Sequence, residues 1–83
     1  MNQAIQVLDG CTYIHSNKAL KVDFTSAGQM LACYIHGLDK EGLTTLYNTK
    51  QFEIEELIEE KLVQDKINLD GEIWLTAQEV YVY

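Results

Sequence analysis

Two cysteines and two histidines lie close together in this chain, as Cys11-x3-His15 and Cys33-x2-His36. Two thiolates and two imidazoles are a donor set for tetrahedral zinc. The surrounding pattern argues against that use. Residues 11–15 and 29–36 both read as strands, and residues three apart on a strand point to opposite faces, so Cys33 and His36 diverge. Cys11 and His15 share a face but stand about 13 Å apart at ~3.3 Å per residue. No tight turn joins either pair. We therefore expect no metal and no other cofactor.

Nucleophilic chemistry is equally poorly supported. Ser16 and Ser26 fall in turn-like stretches, where serine serves local hydrogen bonding. Neither sits in a G-x-S-x-G elbow. Cys33 is placed facing the core, where a thiol is inert. The five glycines stand singly, so no phosphate-cradling loop is present. These absences assign no catalytic residue and lean away from an enzyme.

Two features are less ordinary. Glu53, Glu55, Glu56, Glu59 and Glu60 crowd one stretch of chain, giving like-charge pairs at i,i+4 that cost a few tenths of a kcal/mol each. A docking face for a basic partner is one reading; a solvated helix face accounts for the cluster more simply. Trp74, Tyr81 and Tyr83 concentrate the aromatics near the end of the sequence, and aromatic residues are enriched at interface centres. Packing of Trp74 inside a small core is the plainer alternative. For the tyrosine tail, closing the sheet and pairing with a partner's edge are evenly matched. The candidate partner-binding residues are accordingly Trp74, Tyr81, Tyr83, Glu55, Glu56 and Glu59.

The bulk composition narrows the partners. The 83 residues carry 13 carboxylates against 6 lysines, a formal charge of −7, with no arginine. Nucleic-acid binding needs a basic footprint and usually the arginine fork, so nucleic acid is not an expected partner. Anionic lipid is disfavoured for the same reason. No apolar run approaches the ~18–20 residues that span a bilayer. Met1-Asn2-Gln3-Ala4-Ile5 does not read as a signal peptide, and two cysteines make no secreted disulfide framework, so a cytoplasmic location is expected. At this length and with 47% hydrophobic residues, one globular domain spanning 1–83 is expected.

The elements that would position these residues can be outlined. Ile5–Leu8 and Cys11–His15 read as short strands bounded by Asp9-Gly10 and Ser16-Asn17-Lys18. Ala19–Thr25 alternates, with Leu20, Val22 and Phe24 on one side; Gln29–His36 follows with Leu31, Cys33 and Ile35. A turn centred on Ser26 and Ala27 would set Leu20 opposite Cys33 and Val22 opposite Leu31. Asp39 caps a helix over Lys40–Tyr47, which Gly42 weakens by up to ~1 kcal/mol. A second helix runs from about Thr49 to Gln64, signalled by an Asn48/Gln51 capping box and a Tyr47/Phe52 staple. Its apolar stripe is Ile54, Leu57, Ile58 and Leu62, with Lys61 at the edge and its ammonium in water. Asn68–Gly71 is a loop. Glu72–Thr76 is a strand with Ile73 and Leu75 on one face and Trp74 on the other. The end reads as a helical turn, Thr76-Ala77-Gln78-Glu79 resembling a capping box, then an extended tail.

The phrases Met1-Asn2-Gln3-Ala4-Ile5-Gln6, Phe52-Glu53-Ile54-Glu55 and Asp70-Gly71-Glu72-Ile73-Trp74-Leu75, with the order of elements, resemble the small bacterial family named domain of unknown function 1488. That resemblance implies a compact bacterial, cytosolic α+β fold with several antiparallel strands and helices on one side. It carries over no catalytic residue. The expected fold is thus α+β in the order β-β-β-β-α-α-β: an antiparallel sheet of about four strands plus a C-terminal strand, with two helices packed on one face. The expected function is a non-enzymatic protein-interaction or accessory role, with a homodimer as one form of it. A small-molecule binder or small enzyme, with its site near His15, His36 or Asp70–Glu72, is the alternative.

Overall fold

The computed structural model describes residues 5–8, 10–64 and 71–83. In chain order the elements are β1 (Ile5–Val7), β2 (Thr12–Ile14), β3 (Ala19–Ser26), β4 (Gln29–His36), α1 (Lys40–Thr49), α2 (Gln51–Val63), β5 (Glu72–Thr76) and α3 (Ala77–Val82). The fold is α+β, as the patterning predicts. The sheet runs β1-β3-β4-β5, with β2 also paired to β3. β1 and β2 thus share one side of β3, meeting its C-terminal and N-terminal halves respectively.

The sheet is mixed. β1, β2, β3 and β4 pair antiparallel, but β5 joins β4 in parallel, Cys33 opposite Ile73 and Tyr34 opposite Trp74. A parallel neighbour needs a crossover, and here α1 and α2 supply it.

Alternation decides the two faces. Leu20, Val22, Phe24, Cys33, Ile35, Ile73 and Leu75 are all buried on the inner face. They meet Leu43, Leu46 and Tyr47 of α1 and Ile54, Leu57 and Ile58 of α2 in one contiguous core. Ala77 and Val80 of α3 complete it. The expected inner set is correct, but the hairpin register is not: Leu20 faces Ile35, Val22 faces Cys33 and Phe24 faces Leu31. The turn residues are Ala27 and Gly28, at φ 52° and 82°, rather than Ser26 and Ala27. Positive φ at both central residues is the primed-turn geometry whose twist suits a two-residue hairpin. The shift of two residues keeps every side chain on its face, which is why alternation alone did not detect it.

Asp39 caps α1 as expected, its Oδ1 accepting from the Gly42 N–H at 2.8 Å. The start of α2 differs. α1 continues to Thr49, and Lys50 closes it by donating to the Leu46 carbonyl while its own carbonyl accepts from Ile54. Asn48 is still inside a helix there, so it cannot act as a cap, and α2 begins without a side-chain cap. Phe52 correspondingly lies in solvent rather than stapled to Tyr47.

The end of the chain also differs from expectation. α3 continues through Val82 instead of giving way to an extended tail. The Thr76/Glu79 capping box is present in full: Glu79 N–H donates to Thr76 Oγ1 at 3.1 Å and Thr76 N–H donates to Glu79 Oε1 at 2.9 Å. Once capped, a helix carries Val80 into the core and leaves Val82 outside, a separation that a strand would not make. Lys61 is partly buried rather than fully in water: its ammonium meets Glu79 Oε2 at 3.0 Å and ties α2 to α3.

Candidate interaction surface

The helices cover one face of the sheet. On the other face, odd positions of β3 and even positions of β4 and β5 line up across the strands. Tyr34 and Trp74 are direct partners in the β4–β5 register. Their rings stack with centroids 4.6 Å apart and planes 12° apart. His36 meets the same indole edge-on at 5.9 Å, and Trp74 Nε1 donates to Glu72 Oε1 at 3.3 Å. Trp74 is therefore not a core residue. It is 39% exposed, with Tyr34 largely buried beneath it.

Beside this stack is a shallow hollow lined by Lys21, Asp23, Met30, Tyr34, Gly71 and Glu72. Met30 is 64% exposed, so the open face carries apolar surface from β4 to β5. Nothing in the sequence marks Tyr34 as a site residue. Its position between the inward Cys33 and Ile35 placed it on the outer face, but only the β4–β5 pairing brings it to Trp74.

The remaining candidates lie elsewhere. Tyr83 O–H donates to Glu56 Oε1 at 3.4 Å, and Tyr83, Glu56, Glu59, Glu60 and Val63 line a hollow between α2 and the end of the chain. Partial desolvation, followed by the charges of Glu56 and Glu60, pushes the Tyr83 hydroxyl above its usual range. Glu55 lines a different hollow, with Val7, Leu8, Tyr47, Gln51 and Ile54. Tyr81 is exposed on α3. The six partner-binding candidates therefore do not form one surface.

The histidines and cysteines separate. His15 sits edge-on to Tyr13, 4.9 Å away, and Tyr13 packs against the core from the inner side. His36 belongs to the outer face with Trp74. Cys33 is fully buried, and desolvation, aided by the Glu79 charge, pushes its thiol far above the ordinary range. Burial also raises the Cys11 thiol. Neither sulfur has the stabilised thiolate that reactivity needs. Among the described residues no three His, Cys, Asp or Glu side chains gather closely enough to hold a metal ion. Asp70 lies outside the described residues. Among those residues no helix is long and apolar enough to cross a membrane.

This arrangement of elements has a counterpart among solved structures. The crystal structure of a protein of unknown function from the domain of unknown function 1488 family, from Shewanella loihica PV-4, matches with a TM-score of 0.76. The match covers 90% of this chain and 94% of that one, at 23% sequence identity. The chain has the fold of that protein. The resemblance carried by the opening residues, the start of α2 and the Asp70–Leu75 stretch is thus shown at the level of fold. No family model and no curated protein matches the chain.

Proposed function

We propose that this is a non-enzymatic protein-interaction or accessory protein of the bacterial cytosol, acting through the open sheet face around Trp74. The observation that carries the reading is the half-exposed indole stacked on Tyr34, with Met30 exposed on the same face. Indoles are enriched among the anchors of protein interfaces, and this one is held rigid by its stack on Tyr34. The negative charge disfavours nucleic acid and anionic membranes, which leaves a protein surface, including a second copy of this chain, as the fitting partner.

The test is capture on the tagged chain in its native host, comparing wild type with Trp74→Ala. A stoichiometric partner, identified by mass spectrometry and lost in the variant with unchanged circular dichroism, supports the reading. Identical captures from the two would reject it. Deleting residues 80–83 is not a clean alternative, because Val80 is part of the core.

A second reading has one specific observation in its favour. The hollow lined by Lys21, Asp23, Tyr34 and Glu72 puts an ammonium and two carboxylates beside an aromatic wall. A small polar molecule held there would make this a small-molecule binder. Ligand-induced shifts confined to Tyr34, Trp74 and Lys21 in an NMR screen would favour that reading over the first.

A further inference from the structure

β5 ends the described sheet on the side away from β3. The opposite side is broken into β1 and β2, three residues each, so it offers no continuous edge. β5 is five residues long and carries no lysine or proline; Glu72 charges one end and the Glu79 side chain holds the Thr76 N–H at the other, which leaves Trp74 as its open position among the described residues.

The direction of its backbone groups follows from the helix cap. Thr76 N–H donates to Glu79 Oε1 and therefore points away from β4. Backbone groups alternate sides along a strand, so the N–H and C=O of Trp74 point outward too. Among the described residues neither meets a further backbone partner.

We infer that two copies of this chain pair antiparallel along β5, with Trp74 facing Trp74 of the second copy on a two-fold axis. The inference rests on the reading of Trp74 as an interaction residue and names its partner. A two-fold axis makes any self-pairing of one strand antiparallel. Opposed residues must share a face, which requires the axis to pass at a residue and not between two. Centred on Trp74, the register sets Ile73 opposite Leu75 and Glu72 opposite Thr76; the Thr76 N–H stays with Glu79, so the backbone exchange is confined to the Trp74 pair. Within the strand no carboxylate faces a carboxylate, and the Glu79 carboxylate beside Thr76 is paired with Lys61. The outward N–H and C=O of Trp74 are each used once, and the indoles extend the Tyr34–Trp74 stack across the junction. Each copy carries −7, so their repulsion is long-range and screened by salt. Association therefore tightens as ionic strength rises.

The test uses the full chain. Sedimentation velocity is expected to show a dimer in the high micromolar range that strengthens with added salt. Trp74→Glu, which sets two carboxylates face to face at an exposed position, is expected to be a folded monomer. Register is read by crosslinking in a Cys11→Ser background. Hydrogen-bonded antiparallel partners lie about 5.5 Å apart at Cα, within disulfide reach. Trp74→Cys should oxidise to a linked dimer, Thr76→Cys alone should not, and Thr76→Cys mixed with Glu72→Cys should. A wild-type monomer under all salts, or a Trp74→Cys variant linking no faster than the exposed control Tyr81→Cys, overturns the pairing. A monomer whose Trp74→Ala variant still loses a different protein overturns the pairing and leaves the interaction reading standing.

Discussion

Lys61 Nζ lies 3.0 Å from Glu79 Oε2, while the other oxygen of the same carboxylate accepts the Thr76 N–H. One side chain thus caps α3 and pins it to α2. Desolvation alone would raise the Glu79 carboxyl. The Thr76 N–H and the Lys61 ammonium outweigh it and hold the group below its ordinary value of 4.5. A depressed carboxyl contributes stability that is present above its unfolded value and lost as pH falls through the folded one. Wild type is expected to lose stability below about pH 4.5, where Glu79→Gln shows a weaker pH dependence. Because the pair is partly exposed, Lys61→Met should cost no more than about 1 kcal/mol. Urea unfolding at pH 7 and pH 3.5 checks both.

Val80 and Val82 separate helix from strand at the chain's end. In a strand they would share a face; in α3 Val80 is fully buried and Val82 is 71% exposed. Val80→Ala is expected to cost roughly 2 kcal/mol, from lost transfer energy plus a cavity. Val82→Ala should stay within about 0.5 kcal/mol of wild type. Equal costs for the two in thermal unfolding would contradict the helix.

Gly42 reads as a weakness in α1 but has a steric reason. A Cβ there would stand 3.0 Å from Asp39 Oδ1 and 3.1 Å from Leu38 Cβ. Alanine would gain about 1 kcal/mol of helix propensity and spend it by crowding the cap it hydrogen-bonds. Gly42→Ala is expected to leave the melting temperature unchanged or lower it, where propensity alone predicts a rise.

Ala27 holds φ 52° in the β3–β4 turn, a region that costs an L-residue roughly 1–2 kcal/mol. Ala27→Gly removes that strain and returns part of it as unfolded-chain entropy. A net gain of about 0.5–1 kcal/mol is expected by chemical denaturation. A destabilised variant would mean that the turn sits elsewhere.

Legibility in the sequence followed the range of the interaction that decides each feature. The inner faces of β3 and β4 were readable because Leu20, Val22 and Phe24 alternate with polar neighbours. The Asp39 cap and the Thr76/Glu79 box were readable because their partners lie three residues apart. The register of the hairpin was not, because a shift of two residues leaves the alternation intact and only the positive φ of Ala27 and Gly28 distinguishes the two. The Asn48 signal failed because α1, packed through Leu46 and Tyr47, runs past it.

The candidate surface divides in the same way. Strand alternation by itself put Trp74 opposite Ile73 and Leu75, and composition by itself made the chain acidic and free of arginine. It could not say that β5 would join β4 in parallel, since nothing local to residues 72–76 encodes which strand lies beside them. That pairing brings Tyr34 under Trp74, leaves β5 at the edge and sends α3 back against Lys61. Those contacts join residues far apart in the chain, so they exist only once the core has closed.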